Sequence, residues 1–394
     1  MKKIILFICF LISYPAFSQD ADWMQKAKES SDPNEKIEFY SKIIEMGNAE
    51  KDVYLFRGSE KYSLDDYKGA VSDYDKAIEL DPAYTEAYVN RALARIRLSD
   101  FQGAMSDCNK AIELDPGSSA AYTNRGEVKF WMEKQDLKGA IADYTKAIEL
   151  DPKNYIAYCN RGATKLDLND LKGALSDLNK SIEIAPKYSM AYYNRGKVKE
   201  YQEDLNGAVA DYTKAIELDP KYFAAYINRG VARSFMKDYQ GSISDYSKAM
   251  EINPDDYMSY HNSSLIYYTE KNYSKAIEIT EKGLTVLGKQ PYLLDDLGYL
   301  FIETKNYDKA IENFNECLNL DNKQTQVDAA LGLSVAYYKK NDMNNSKKYW
   351  KQATKYVTPV YVVGDDEYLE FQEGFWGLWQ SNMKTLRKIY DKFH

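Results

Sequence analysis

A proline recurs along this chain at nearly constant spacing, and the same phrase precedes it each time. Intervals of 34, 36, 34, 34 and 34 residues separate Pro82, Pro116, Pro152, Pro186, Pro220 and Pro254. Four of these prolines close the phrase AIELDP, and the other two close the related phrases SIEIAP and AMEINP. A period of this length indicates a fold that grows by stacking one supersecondary unit, so the usual division of a long chain into separate domains does not apply.

One copy, residues 155–188, has the pattern of two amphipathic helices. Apolar and small residues recur at helical spacing on both sides of Asn169-Asp170, where the pattern predicts a turn and a helix start. Pro186 ends the second helix because it lacks an N–H group and clashes with the preceding turn. The small side chains of Gly162 and Ala174 let the two helices approach closely. Such a helix pair cannot bury both of its faces alone, so the copies must stack.

A second phrase lies between the prolines, as AYVNRA at 87–92, AYTNRG at 121–126, AYCNRG at 157–162, AYYNRG at 191–196 and AAYINRG at 224–230. With these phrases and this period the chain resembles the tetratricopeptide repeat family over nearly all of its length after the first residues. The resemblance implies an all-α fold, a right-handed α-solenoid or superhelix of antiparallel helix pairs, in an exported bacterial protein that binds other proteins.

The copies divide the chain into five parts, with 34 residues in a regular copy and two extra residues in the third. We expect the extra residues in the turn around Glu133 to Asp136. The predicted parts are a signal peptide at 1–18, a degenerate N-terminal repeat at 19–50, six regular repeats at 51–256, three diverged repeats at 257–360, and a C-terminal capping or docking helix within 361–394.

The first residues have the three parts of a secretory signal. Lys2 and Lys3 precede an apolar run from Ile4 to Ile12, and the small-residue site Ala16-Phe17-Ser18 follows it. The apolar run is too short to cross a bilayer as a stable span, so we expect cleavage before Gln19, with an uncleaved anchor as the alternative. The sequence therefore predicts an exported protein, periplasmic or secreted, with no membrane span.

Charge and cysteine content exclude several classes of function. The net charge is −8, and removal of residues 1–18 would take away two lysines and no acid. A negative surface without a basic stripe disfavours nucleic acid and anionic membranes as partners. Without residues 1–18, which contain Cys9, the chain keeps Cys108, Cys159 and Cys317, an odd, widely spaced set that is no disulfide framework. We expect Cys108 and Cys317 to fill the core, and Cys159 to lie near the groove as an inert thiol.

An arginine and an aspartate vary together among the copies. Each Arg of the second phrase is followed 16 residues later, or 18 in the third copy, by an Asp, and the diverged copies lose both. We predict a bidentate Arg–Asp bridge between the two helices of each copy, with a ligand-facing ladder of arginines as the alternative. The predicted pairs are Arg57–Asp73, Arg91–Asp107, Arg125–Asp143, Arg161–Asp177, Arg195–Asp211 and Arg229–Asp245.

The family resemblance implies that the first helices line a concave groove for a partner segment. The residue before each Arg would face that groove, and it is Asn in six copies, although each Asn could instead satisfy a neighbouring helix. The Lys and Arg cluster with which some family members clamp acidic C-termini is absent here. The candidate groove residues are Asn90, Asn124, Asn160, Asn194, Asn228, Asn262, Tyr193, His261 and Trp131.

The C-terminal stretch 361–394 breaks the repeat. Gly364-Asp365-Asp366-Glu367 predicts a turn, and residues 375–393 have the spacing of an amphipathic helix. This helix would cap the array, since a solenoid needs one solvated end face. Alternatively its Trp376 and Trp379 would dock on another protein.

Nothing in the sequence predicts catalysis, a metal or a cofactor. His261 and His394 share no metal-ligand spacing, and no glycine-rich phosphate loop is present. The sequence therefore predicts a non-enzymatic scaffold or adaptor of the cell envelope with a protein or peptide partner. A chaperone-like carrier of exported proteins and a receptor for a glycan or small ligand are the alternatives. The oligomeric state and the identity of the partner do not follow from the sequence.

Overall fold

The computed structural model describes residues 16–47, 49–132, 136–320, 322–355, 359–362, 368–371 and 383–393. The chain divides into two compact units, Met1–Val198 and Lys199–His394. Within each unit, consecutive helices pack against one another in series. The predicted all-α class, built from stacked helix pairs, is therefore confirmed.

The odd-numbered helices from α1 to α19 are called first helices here, and they precede the turn of each copy. They are α1 Ala16–Glu29, α3 Lys51–Ser63, α5 Thr85–Arg97, α7 Ser119–Trp131, α9 Tyr155–Asp167, α11 Ser189–Tyr201, α13 Phe223–Phe235, α15 Tyr257–Thr269, α17 Pro291–Glu303 and α19 Lys323–Lys339.

The even-numbered helices are called second helices, and each follows the turn of its copy. They are α2 Pro33–Glu45, α4 Tyr67–Leu80, α6 Phe101–Leu114, α8 Leu137–Leu150, α10 Leu171–Ile184, α12 Leu205–Leu218, α14 Tyr239–Ile252, α16 Tyr273–Leu287, α18 Tyr307–Leu318 and α20 Met343–Ala353.

The turn inside a copy has a repeated chemistry. In α9–α10, Asn169 has a left-handed backbone with φ of 60°, and Asp170 then caps α10 by accepting from the Gly173 N–H at 2.9 Å. A Cβ on Gly173 would meet the Asp170 carboxylate at 2.1 Å, so any other residue here requires the capping side chain to shift. The short turn returns the second helix against the first, which brings side chains of both helices into one layer.

Close approach of the two helices depends on a glycine facing a large side chain. A Cβ on Gly126 of α7 would come within 2.6 Å of the Tyr144 ring on α8. In α9 the same place is Gly162, whose Cβ would meet Leu178 at 2.8 Å. These large side chains are buried between the two helices of a copy.

The structure differs from the predicted C-terminal region. Two strands that the sequence did not predict, β1 Pro359–Val362 and β2 Tyr368–Phe371, pair antiparallel with Pro359 opposite Phe371. The predicted helix at 375–393 is present as α21 Met383–Phe393, and Trp376 and Trp379 lie outside the described residues, as do Gly364 to Glu367. Leu386 and Ile389 of α21 are fully buried in one core cluster with residues of α17 to α20, so this helix packs against α19 and α20.

Candidate partner-binding site

A bidentate bridge links the two helices of a copy. In α9–α10, Arg161 Nε donates to Asp177 Oδ2 at 2.8 Å and Arg161 Nη2 donates to Asp177 Oδ1 at 2.7 Å. Asp177 is 4 % exposed, so the pair lies between the helices and not on the outer surface. The structure brings the same atoms together in Arg57–Asp73, Arg91–Asp107, Arg125–Asp143 and Arg229–Asp245.

The sixth predicted pair has one member in each unit. In unit 1, Arg195 Nη1 donates to Asn179 Oδ1 at 2.8 Å. In unit 2, Asp211 is 4 % exposed, and its Oδ2 lies 2.7 Å from Lys199 Nζ.

Each of these aspartates also binds a second cation, which the sequence reasoning missed. Lys165 Nζ lies 2.7 Å from Asp177 Oδ2, so the carboxylate lies between Lys165 and Arg161. The sequence contains a pattern that could have predicted this contact, since a basic residue follows each Arg by four positions and is absent from the diverged copies. The second cations are Lys61, Arg95, Lys129, Lys165 and Arg233, and Lys199 holds the same place beside Asp211.

Each arginine reaches back to the preceding copy as well. Arg161 Nη1 donates to the Thr145 hydroxyl of α8 at 3.0 Å, while its guanidinium carbon lies 5.6 Å from the centre of the Tyr158 ring. Equivalent Nη1 bonds reach Ser41, Asp75, Asn109, Asn179 and Thr213. The donors of the guanidinium are thus used within the array, which leaves the arginine little capacity for a ligand.

The predicted asparagines occupy two kinds of environment. Asn124 is 7 % exposed and donates to the Val89 carbonyl of the preceding first helix at 3.0 Å. Asn194 is 8 % exposed and donates to Cys159 Sγ at 3.4 Å. These two amides therefore join neighbouring first helices. The other four are half-buried: Asn90, Asn160, Asn228 and Asn262.

The remaining predicted groove residues differ in exposure. Trp131, the last residue of α7, is 55 % exposed, and its ring meets Phe130 edge to face. Tyr193 is half-buried, with Lys197 Nζ 6.0 Å from its ring centre. His261 Nδ1 lies 2.6 Å from Asp296 Oδ2, and the charge of Asp296 raises the pKa of this histidine.

Aromatic side chains end further first helices in the same way as Trp131. Tyr201 ends α11 and is 66 % exposed, and Phe235 ends α13 and is 72 % exposed. Neither side chain belongs to the buried clusters of unit 2. Large exposed aromatic residues of this kind are typical of surfaces that bind other proteins.

Unit 2 contains buried carboxyl groups that the sequence reasoning did not single out. Asp295 and Asp296 of α17 are 8 % and 4 % exposed, and Asp328 comes from α19. Burial, together with the charges of Asp328 and Asp296, raises the pKa of Asp295 well above its usual range. Burial also raises the pKa of Asp328 to about 8. Asp295 and Asp328 are therefore held in a setting that opposes their negative charge.

The three cysteines among the described residues are buried thiols. Burial raises the pKa of each of Cys108, Cys159 and Cys317 to about 12, so none is a thiolate at neutral pH. Cys159 is 0 % exposed, which corrects the expectation that it lies near an open groove. It packs between first helices instead, against Asn194.

Two structural absences hold for the part of the chain that the structure describes. No three His, Cys, Asp or Glu side chains there converge in a way that could hold a metal ion. No helix there combines the length and the apolar character needed to span a membrane.

Solved structures with a similar fold are numerous, and three illustrate the range. A chain of the APC/C hetero-tetramer Cut9-Hcn1 is 17 % identical with a TM-score of 0.57, covering 72 % of this chain and 55 % of that chain. This chain thus spans about half the length of that structure, and the likeness is one of fold alone.

Two further structures align over more of their own length, with lower TM-scores. Yeast Tom70 is 17 % identical with a TM-score of 0.42, covering 86 % of this chain and 91 % of that chain. A tetratricopeptide repeat protein from Parabacteroides merdae is 20 % identical with a TM-score of 0.45, covering 63 % and 98 %. Among proteins with curated descriptions, none matches this sequence.

Family models cover more than half of the chain. The model described as TPR repeat matches residues 58–99 and 132–168. Models described as tetratricopeptide repeat match residues 85–118, 155–188, 189–222, 223–256 and 292–324. These matches fall on the helix pairs whose glycines, caps and Arg–Asp bridges are described above. The chain belongs to the tetratricopeptide repeat family.

Proposed function

We propose that this chain is a non-enzymatic interaction scaffold, or adaptor, of the cell envelope. Its first helices bind a peptide segment or a helix of a partner protein. Membership of the tetratricopeptide repeat family supports a role in binding proteins. The signal-like residues Lys2 to Ser18 support export.

The exposure of aromatic residues at the ends of first helices carries this proposal. Trp131, Tyr201 and Phe235 are 55 %, 66 % and 72 % exposed, although each could bury a large apolar area against a partner. The Arg–Asp bridges make no use of these positions, since their atoms lie between the two helices of a copy. The ends of the first helices are thus open to a partner while the interior stabilises the array.

Photo-crosslinking in intact cells tests the binding role. A photoreactive amino acid is placed at Trp131 or Phe235 on first helices, and at the exposed positions Glu113 or Glu281 on second helices as matched controls. We expect one protein, identified by mass spectrometry and captured in stoichiometric amount, at Trp131 and Phe235. Equal capture at the control positions would contradict binding on the first helices.

The same experiment separates the alternative functions. Many different exported proteins captured weakly at Phe235 would indicate a chaperone-like carrier. Capture of no protein, with a rise in the unfolding temperature on addition of purified glycans, would indicate a glycan receptor.

Export is tested on the protein itself. We expect the chain purified from the native cells to begin at Gln19, because cleavage would follow Ala16-Phe17-Ser18. The fraction that contains it should be the periplasm or the medium. Recovery from the cytoplasm with Met1 intact would contradict export without affecting the proposed binding role.

A further inference from the structure

Four residues on one face of α15 recur at the spacing of a coiled-coil seam. They follow one another at intervals of three, four and three residues, so they lie on one side of the helix. Met258 and Leu265 are 40 % and 37 % exposed. The side chain of His261 is 21 % exposed, and Tyr268 is half-buried. These four residues are called the α15 seam here, and they are accessible from the first turn of the helix to its last.

The neighbouring first helix extends this surface. Ile227, Val231 and Phe235 recur at every fourth residue of α13 and therefore share one face. Ile227 and Val231 pack against a buried cluster to which α15 contributes Tyr260, while Phe235 is 72 % exposed. No acid, lysine or arginine occupies any of these α13 places or any place of the α15 seam. The two helices thus present one uncharged, mainly apolar surface within unit 2.

The places of the α15 seam are covered in the next copy. The residues that hold them on α17 are Tyr292, Asp295, Tyr299 and Ile302. Tyr292 is half-buried, and the other three are 8 %, 1 % and 4 % exposed. The chain therefore covers this face on α17 and leaves it open on α15.

An amphipathic helix belongs to the cluster that provides this cover. Leu386 and Ile389 of α21 are three residues apart, and both are fully buried in one cluster with Tyr299. Lys388, on the other side of α21, is exposed. Tyr268, the last residue of the α15 seam, packs against the same cluster. The open seam is thus continuous with a surface on which the chain already packs an amphipathic helix of its own.

We propose that an amphipathic helix of a partner protein packs lengthwise along α15, with branched apolar side chains at heptad spacing set against the α15 seam. This inference rests on the proposed function and names the chemistry of the partner. Apolar residues at this spacing on two helices interdigitate at an interaxial distance of about 8–10 Å. The contact face of the partner carries no charge, because a charged group placed against these uncharged residues loses water and gains no counter-ion.

The length of α15 sets the length of the contact. The helix has 13 residues, which corresponds to about 20 Å at about 1.5 Å per residue. A partner helix of three to four turns matches that length. It contacts α15 at places two turns apart, whereas a segment that crosses successive first helices contacts each of them once.

Paired crosslinks in intact cells test the direction of the partner. A photoreactive amino acid is placed at Met258 or at Leu265, which lie about 10 Å apart along the helix. We expect the two positions to capture residues of one partner segment that are about seven places apart, as in a helix. Residues about three places apart would indicate an extended segment. That result, capture from only one of the two positions, or capture from neither would overturn the lengthwise helix.

Calorimetry on the whole chain tests the seam with a defined probe. The probe is the blocked peptide acetyl-KALAEIAKALAEIAK-amide, whose Leu and Ile side chains form one stripe at heptad spacing. In a first control peptide each Ile exchanges places with the Glu before it, which splits the stripe at unchanged composition and charge. In a second control peptide Pro replaces the Ala before the second Leu and breaks the helix. We expect the probe to bind about tenfold more tightly than either control.

Substitutions then locate the binding. We expect Met258→Glu with Leu265→Glu to weaken the probe by about tenfold or more, because the new carboxylates lose water against its apolar stripe. Met258→Leu, which keeps an apolar side chain, should retain the affinity. Val286→Glu on the second helix α16 replaces a side chain that is 45 % exposed, and this matched control should leave the affinity unchanged. The far-UV circular dichroism of these variants verifies that they fold.

Four outcomes of the peptide experiment would overturn the proposal. They are no binding of the probe at millimolar concentration, equal binding of the split-stripe peptide, equal binding of the Pro peptide, and equal weakening by Val286→Glu. None of these would affect the crosslinks expected at Trp131 and Phe235. If Met258→Glu with Leu265→Glu leaves a partner captured at Phe235 with unchanged affinity, the scaffold role stands and the lengthwise helix is wrong.

Discussion

Lys165 Nζ lies 2.7 Å from Asp177 Oδ2, on a carboxylate that Arg161 already binds through two nitrogens. The two cations are four residues apart on one helix, where like charges repel each other. Asp177 on the second helix lies against both cations and removes that repulsion. The triad therefore couples the stability of the first helix to the presence of the second.

Loss of the aspartate should destabilise the array more than loss of the whole bridge. Asp177→Leu leaves Arg161 and Lys165 without their shared partner, and we expect a cost of about 3–5 kcal/mol. Arg161→Leu together with Asp177→Leu should cost less, since Lys165 can extend its ammonium group into water. Urea unfolding followed by circular dichroism measures the difference. A double variant as unstable as the worse single variant would show that the bridge is not a buried pair.

A glycine on α17 should be irreplaceable next to one aromatic ring. A Cβ on Gly298 or on Gly332 of α19 would overlap the ring of Phe314, which lies between the two first helices. We expect Gly298→Ala to destabilise unit 2 by about 1–3 kcal/mol through overpacking. Phe314→Leu should cost less in the Gly298→Ala background than in the natural chain, because the smaller side chain leaves room. Additive costs in the double-mutant cycle would contradict this packing.

Unit 2 should lose stability as the pH rises. Burial raises the pKa of Asp328 from 3.8 to about 8 and raises the pKa of Asp295, so the folded state binds more protons than the unfolded state in that range. The charge of Asp296 raises the pKa of His261 above its ordinary value of 6.5. The stability that this contact adds is complete below pH 6.5, and it is lost as the pH rises through the pKa that His261 has in the folded state.

Urea midpoints of unit 2 at a series of pH values measure this dependence. We expect Asp295→Asn with Asp328→Asn to flatten the decline between about pH 4 and about pH 8. His261→Gln should flatten only the portion above the ordinary histidine pKa. A midpoint that increases with pH over this range would have the wrong sign.

The last helix should act as a cap. Leu386 of α21 is fully buried among residues of α17 to α20, and we expect Leu386→Ala to lower the stability of unit 2 by about 2–5 kcal/mol. Lys388→Ala on the exposed side of the same helix is the matched control, with an effect of less than about 0.5 kcal/mol. Thermal unfolding of the two variants makes the comparison. Equal midpoints would favour a docking role for α21 over a capping role.

The fold class could be predicted from the sequence alone because the same phrases recur at a constant period. Pro186, the Asn169-Asp170 turn and the small residue Gly162 each recur at one place per copy, so a single helix pair could be worked out and then multiplied. The helices α9 and α10 lie where that reasoning places them. The covariation of Arg161 with Asp177 likewise pointed to side chains that the structure brings into contact.

Other features depend on three-dimensional neighbours that no periodic phrase records. Lys165 has the appearance of an ordinary surface lysine until the turn brings Asp177 beside it. Asp295 and Asp328 lie on different helices of copies that have lost the phrases, so only the geometry of α17 and α19 brings them together. The strands at Pro359–Val362 and Tyr368–Phe371 are too short to give a clear alternation.

The hydrogen bond from Nη1 of each arginine to the preceding copy bears on how such a chain changes in length during evolution. The acceptors in unit 1 are the hydroxyl groups of Ser41 and Thr145, the carboxylate of Asp75, and the amides of Asn109 and Asn179. Because any of these satisfies the guanidinium, adjacent copies are not chemically matched to one another. Excision of residues 155–188 would set Arg195 against Thr145, an acceptor that Arg161 already uses. Unequal recombination can therefore add or remove whole copies in unit 1, and the array can change in length without new junctions.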